Sequence, residues 1–445
     1  MIQRTFLSLA IFVFFSDGIA ISQNTSAGFD EAGEFANTAF HLSEVMVHDV
    51  ANPPAASRFY AYAMEAAHQA ILMGTDRSLS FDHLFHTLPA FEWKVAPRNF
   101  NKSLAANYAM LETGRLMMPS GYLLKEKQER LVARYKKERH LSGKEISYTV
   151  QQAEWIALQV VAYARSDGYT RLSTWQRYSP QKTEGHWYPT PPEYMLPVEA
   201  HWSTIRPFFI RSGSAFAPAP PVPFSTDKNS DFYKLMKEVY DTTSQLTPLQ
   251  TTIANFWDCN PFAVKYSGHM SIGLKKISPG GHWIGITGII CKQKKSSLDS
   301  TVYAHALVAL TIHDAFISCW TEKYTSDRIR PETAINKYMD AEWRPLLQTP
   351  PFPEYTSGHS VVSSASAEIL SYLFGDAVRY TDTSEEYFGI PARTFNSFRD
   401  AANEAAISRL YGGIHFRDAI VAGQIQGKQV ARYILDQVNS KKEIK

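Results

Sequence analysis

"SRFYAYAMEAAHQAILMG", residues 57–74, sets the fold class. Its apolar side chains recur at spacings of three and four rather than alternating, which is the period of an α-helix that buries a face. The same rule holds in "LAANYAMLETGRLMM" (104–118) and "TVQQAEWIALQVVAYARSDG" (149–168). After residue 226 it returns in "DFYKLMKEVYDTTSQL" (231–246), "TVYAHALVALTIHDAFISCW" (301–320), "VVSSASAEILSYLFG" (361–375) and "SFRDAANEAAISRLYGG" (397–413). Strand-like alternation is scarce, and no short repeat is evident. The proline-rich "SGSAFAPAPPVPFSTDKNS" (212–230) interrupts the pattern and reads as a boundary or strap between two helical halves. The expectation is an all-α protein of helical bundles, with one domain over 23–225 and a second over 226–445.

With 445 residues, 44% hydrophobic and 13% aromatic, the chain can bury a sizeable core. Forty-five basic against 43 acidic residues give a net charge of +2, with no basic stripe, so no nucleic-acid partner is expected. The local runs "RYKKERH" (134–140) and "CKQKKSS" (291–297) read as solvated faces. Residues 1–22, "MIQRTFLSLAIFVFFSDGIAIS", combine Arg4, a short apolar stretch and small residues before a cleavage point, the pattern of a secretory signal peptide. A secreted or periplasmic location is therefore expected. No membrane span is expected in the mature chain; "AHALVALTIHDAFISCW" (304–320) carries His305, His313 and Asp314. Cys259, Cys291 and Cys319 match no zinc pattern, and one disulfide plus a thiol or three buried thiols are equally consistent.

The chemistry lies in the second half. In "KYTSDRIRP" (323–331) Lys323 and Arg330 are seven positions apart; on a continuous helix that is roughly 10 Å along one face. Such a pair can grip different oxygens of one tetrahedral anion, Arg330 through its planar fork. "YTSGHS" (355–360) places a hydroxyl, a glycine and His359 at a helix start, where unpaired N–H groups favour an anion. "SRLYGGIHFRDAIVAG" (408–423) ends one helix near Arg409, bends at Gly412–Gly413 and sets His415 before the next. Singly, each has an ordinary reading: a surface pair, an N-cap with a bystander histidine, an interhelix loop. Together they supply three cations, backbone donors and two imidazoles suited to a tetrahedral oxyanion.

The order Lys-x6-Arg-Pro, Ser-Gly-His and Ser-Arg-x5-His resembles the signature of the phosphatidic acid phosphatase type 2 and vanadium haloperoxidase superfamily, over roughly residues 250–430. The resemblance implies helical bundles of the vanadium haloperoxidase type. It further implies that Lys323, Arg330, Ser357, Gly358 and Arg409 hold the oxygens of vanadate or phosphate. His415 then binds vanadium or attacks phosphorus, and His359 is the general acid–base. In a peroxidase, Lys323 would also help activate hydrogen peroxide for attack by halide. "PFPEYTSGH" (351–359), "FWDCNPF" (256–262) and "PGGHW" (279–283) resemble the chloroperoxidase branch, with Phe352 beside the halide site and Asp258 orienting Arg409. Length points the same way, since the simple acid phosphatases have a single bundle.

Two departures stand out. Thr356 replaces the usual proline before Ser-Gly-His, and Asp418 lies three rather than four residues beyond His415, a rotation of roughly 100° on a helix. Asp418 is therefore not counted among the site residues. The leading expectation is a vanadate-dependent haloperoxidase acting on peroxide and halide. The alternative is an exported acid phosphatase that needs no cofactor and cleaves phosphate esters through a phosphohistidine at His415. A non-catalytic oxyanion binder is a third reading; a lipid phosphatase is disfavoured because its integral forms carry several membrane spans. Oligomeric state is not legible. His269, His282 and His313 read as core or surface residues.

Overall fold

Helices begin in this chain where a short polar side chain can satisfy the free N–H groups of a first turn. Asp30, Asn52, Asn101, Ser142, Ser230, Thr247, Ser278, Ser297, Ser357 and Ser397 each accept from an amide three residues on. Ser142 with Glu145 and Thr247 with Gln250 complete reciprocal capping boxes. The computed structural model describes residues 29–73, 80–92, 99–274 and 276–440, so the signal-peptide reading of 1–22 lies outside the described residues. The helices are α1 (Glu31–His48), α2 (Pro53–Leu72), α3 (Lys102–Met117), α4 (Leu124–Glu138), α5 (Gly143–Arg165), α6 (Asp231–Ser244), α7 (Pro248–Phe256), α8 (Pro279–Gln293), α9 (Leu298–Ser326), α10 (Pro331–Tyr338), α11 (Gly358–Phe374), α12 (Phe398–Tyr411) and α13 (Arg417–Ser440). Besides short 3-10 turns and an isolated bridge between His186 and Arg328, two small antiparallel hairpins accompany them among the described residues, β1 (Val264–Ser267) with β2 (Met270–Gly273) and β3 (Tyr380–Asp382) with β4 (Arg393–Phe395). The fold is all-α.

Helix α9 is the central element. It packs on α2 to one side and on α11 and α13 to the other, and one continuous apolar cluster runs from Phe35 in α1 to Leu435 in α13. Every residue of α2 is buried, as is almost all of α9, so both are apolar around most of their circumference, as helices enclosed by others must be. Among the described residues α9 alone is long and apolar enough to cross a membrane, and its apolar window is wholly buried within the protein. Several buried polar groups tie the core together: Arg58 Nε donates to Asp167 at 2.6 Å. Asp314 of α9 accepts from the amides of Phe208, Phe209 and Ile210 at 2.8, 2.8 and 3.0 Å, binding the incoming chain to the core helix.

The proline-rich segment 212–230 crosses the end of α9. Gly213 lies so close to that helix that a Cβ would meet Ile317 O at 2.9 Å, and its carbonyl accepts from Ser318 Oγ at 2.9 Å. Further on, Ala219 O accepts from Tyr355 OH at 2.6 Å and Val222 N donates to Asp418 at 3.2 Å. The cysteine question also resolves: Cys259, Cys291 and Cys319 are free, buried thiols, and none pairs in a disulfide.

His305 of α9 is held neutral by burial, its pKa lowered to about 4 although Thr301 O accepts from its ring at 2.8 Å. The unfolded chain takes up a proton near 6.5 whereas the folded chain resists until about 4, so stability is intact above 6.5 and falls as pH drops through that window. His305→Leu should flatten the acid slope of the guanidinium midpoint, by up to about 3 kcal/mol across the window. An unchanged slope would mean that His305 already titrates normally.

Candidate active site

Three chain segments converge at the end of α9. The first departs from the sequence expectation. Lys323 and Arg330 do not share a helix face: α9 stops at Ser326, Asp327 turns the chain with φ 47°, and Arg330 is the residue before α10. The two cations meet through that reversal at Phe352, with Lys323 Nζ 5.1 Å and Arg330 Cζ 5.0 Å from its ring centroid. Lys323 is fully buried and donates to three carbonyls, Pro353 (3.0 Å), Glu354 (3.1 Å) and Thr356 (2.6 Å). An ammonium has three protons, so all are engaged by the motif loop. Burial lowers its pKa to about 7, with the Arg330 charge acting in the same direction.

Arg330 donates through Nε to Phe352 O (2.8 Å) and through Nη1 to Ile414 O (2.9 Å), while Nη2 is buried with no partner. Burial lowers its pKa to about 9, so it stays charged at neutral pH.

The second segment is the start of α11. Ser357 is its N-cap; its hydroxyl accepts from Ser360 Oγ at 2.9 Å, and its amide donates to Ala419 O at 3.1 Å. Gly358 and His359 open the helix, where N–H groups have no intrahelical acceptor. Thr356, standing where the family has proline, is pinned by Gln426, to which its hydroxyl donates at 2.7 Å. Gly358 faces the cavity, and a Cβ there would touch nothing of the protein closer than Trp320 at 3.6 Å. Packing therefore does not require the glycine, whereas a ligand lying against the helix start would.

Gly358→Ala should leave the melting temperature unchanged or slightly raised, since alanine favours a helix. It should weaken orthovanadate or phosphate binding by about 5–150-fold, the effect of about 1–3 kcal/mol of overpacking. Undiminished binding measured by calorimetry would show that no anion lies against residue 358.

The third segment joins α12 to α13. Arg409 donates through Nη1 to Trp257 O at 2.8 Å, and its Nε is buried without a partner. Asp258, expected to orient this guanidinium, lies 4.0 Å from Nη2, an ion pair without a hydrogen bond, and is itself bound by Lys276. The Trp257 carbonyl does the orienting, and the Trp257 backbone also hydrogen-bonds His359.

His415 shows a partner that sequence reasoning missed. Glu354 Oε1 accepts the Phe416 amide at 2.9 Å and stands 2.8 Å from His415 Nδ1, so the imidazole places its proton on that side. Nε2 then carries the lone pair, 3.2 Å from Arg330 Nη1. Glu354 is fully buried, and Arg328 Nε approaches its other oxygen at 3.3 Å. Asp418 is one step further out, clamping Arg328 with two 2.6 Å bonds and making none to His415. The signal for Glu354 was available: it is the only acidic residue between Glu342 and Glu368, set among prolines and aromatics.

Phe352, Gly358, His359, Arg409 and His415 line one small cavity, with Trp320 behind Phe352 at 4.9 Å between ring centroids. Arg330 adjoins the lining through its 3.2 Å approach to His415 Nε2, and Ser357 directly precedes the lining residue Gly358. Burial, then the neighbouring cations, hold His415 well below the ordinary imidazole pKa; burial, Arg409 and His415 do the same to His359. Both imidazoles are therefore neutral at pH 7. The unpartnered Nη2 of Arg330, Nε of Arg409 and Nε2 of His359 form a donor and base set suited to an anion.

This bundle with an oxyanion-shaped cationic cavity is a haloperoxidase-type architecture, and comparisons agree. The model of the VCPO second helical-bundle domain matches residues 336–443. A solved bacterial vanadium-dependent iodoperoxidase is similar at 36% identity, with a TM-score of 0.83 over 94% of this chain and 98% of its own. Bacterial vanadium-dependent chloroperoxidases, in holo and apo forms, share the fold at 15% and 16% identity, with TM-scores of 0.62 and 0.61. Each covers 88% of this chain, and 93% and 96% of its own length is covered. No curated protein matches. The chain belongs to the vanadium haloperoxidase branch of the phosphatidic acid phosphatase type 2 superfamily, and is an enzyme.

Proposed function

We propose that this enzyme oxidises halide with hydrogen peroxide at a vanadate held by His415, and that iodide is its preferred halide. The observation that carries the proposal is the pair of buried, unpartnered guanidinium donors, Arg330 Nη2 and Arg409 Nε, in a site whose His415 is held at Nδ1 by Glu354. Bound vanadate would supply fully oxidised Lewis-acid chemistry toward peroxide. The chain's own residues do the rest. His415 offers Nε2 as ligand, and the two guanidinium groups with the α11 N–H groups hold oxygens. His359, neutral and with Nε2 free, takes the proton of the incoming peroxide.

Iodide follows from Lys323. Its three N–H bonds end on carbonyls, so it contributes positive field but no free donor to polarise peroxide. A weaker oxidant suffices for iodide, the most easily oxidised of the common halides. The similarity to an iodoperoxidase supports the same choice.

The test splits chelated protein into halves with and without orthovanadate, assaying oxidation of iodide, bromide and chloride and hydrolysis of p-nitrophenyl phosphate. Iodide oxidation confined to the vanadate half, and lost in His415→Ala, is expected. Hydrolysis in the vanadate-free half with no halide oxidation in the other would establish the phosphatase reading, for which the same cavity would hold a phosphate ester. Chloride turnover equal to iodide would overturn the halide assignment alone.

A further inference from the structure

Beside the cavity, and sharing Cys259 with its lining, lies a second cluster that the oxyanion chemistry does not use. Cys259, which follows α7, His282, in the first turn of α8, and Glu385, after β3, bring one ligating atom each to within 4.8 Å of one another, all buried. His282 Nδ1 is 3.5 Å from Cys259 Sγ and 3.2 Å from Glu385 Oε1. The edges of a tetrahedron around zinc with such ligands are roughly 3.3–3.7 Å.

The other ring nitrogen is already committed. Nε2 stands 2.7 Å from Asp382 Oδ2, and Asp382 is itself fixed by the amide and hydroxyl of Ser384 at 3.0 and 2.6 Å. A carboxylate on the far nitrogen of a histidine is how metal-binding imidazoles are oriented, and it turns the Nδ1 lone pair toward the cluster. Glu385 Oε1, despite its 3.2 Å approach to Nδ1, makes no hydrogen bond and is a buried acceptor without a partner. Lys276, whose charge reaches Glu385, is engaged by Asp258.

We propose that Cys259, His282 and Glu385 form a binding site for one divalent, borderline-soft cation, zinc by its sulfur, nitrogen and oxygen donor set, with a fourth position open. Thiolate and carboxylate balance the ion's two charges. The site sits against Trp257, whose indole stacks on His282 at 4.5 Å and whose carbonyl holds Arg409. A bound ion would therefore brace the Trp257–Asn260 turn that forms part of the oxyanion cavity. The proposal does not depend on which reaction that cavity performs.

The test uses tag-free mature protein stripped with EDTA, equilibrated with zinc chloride or cobalt chloride, and gel-filtered. Elemental analysis should find one zinc ion per chain, equally with and without orthovanadate and in His415→Ala. Cobalt-loaded protein should show a thiolate-to-cobalt charge-transfer band that is absent in Cys259→Ser, a one-atom change that keeps the side chain's shape. Asp382→Asn should weaken zinc binding by about 10–100-fold. No retained zinc in the wild type, zinc lost in His415→Ala, or a charge-transfer band surviving in Cys259→Ser would each overturn the assignment.

Discussion

Replacing His359 with alanine is expected to lower kcat/KM for iodide oxidation by about 10²–10⁴-fold, the usual contribution of a positioned general base. His359 is the second residue of α11, anchored by the Trp257 backbone, with Nε2 unpartnered. Orthovanadate affinity should change far less, by about tenfold or below, because losing one neutral hydrogen bond removes about 1 kcal/mol. The pH profile separates proton transfer from positioning. Burial and the Arg409 charge keep the His359 pKa well below 6.5, so the base form survives as pH falls through 6.5 and the free-enzyme rate should not drop there. Acid loss should appear only below that, and the variant should lack that limb. Parallel loss of anion binding and rate would make His359 a positioning residue.

The second large effect is expected at Glu354. Its carboxylate lies between His415 Nδ1, the Phe416 amide and Arg328, with no exposure to water. Glu354→Ala removes one partner of a buried charged set and should destabilise the fold by about 3–5 kcal/mol, read from the guanidinium midpoint. Glu354→Gln keeps the shape but not the charge. It should fold and lose about 10–100-fold in orthovanadate affinity, as outer partners of a ligating histidine do. Calorimetric titration of Glu354→Gln decides between orientation and bulk: wild-type affinity would show that His415 needs no carboxylate.

The helices were legible because periodicity and caps are local. The stretch at 57–74 marked α2, and the Ser357 cap marked the start of α11 within one residue. The three motifs were legible as residue types suited to an oxyanion. Their partners were less so. Asp258 does pair with Arg409, but only across 4.0 Å while it also binds Lys276; the hydrogen bond to the guanidinium comes from the Trp257 carbonyl, an atom every residue possesses. The expectation of Lys323 and Arg330 on one helix face failed because Asp327 adopts a left-handed conformation that ends α9, and periodicity does not register one such residue.

Sequence by itself determined the all-helical class and the superfamily, and it singled out three motifs of residue types suited to an oxyanion, since these depend on side-chain type and spacing along one chain. Tertiary structure decided which nitrogen of His415 carries the proton, that Lys323 spends its donors on the motif loop, and that Asp418 serves Arg328. It also brought Cys259, His282 and Glu385, up to 126 positions apart by their numbering, into one buried cluster. The reason is physical: hydrogen bonds and desolvation depend on which atoms from distant segments exclude water together, and that is set only when α9, α11 and the strap have packed.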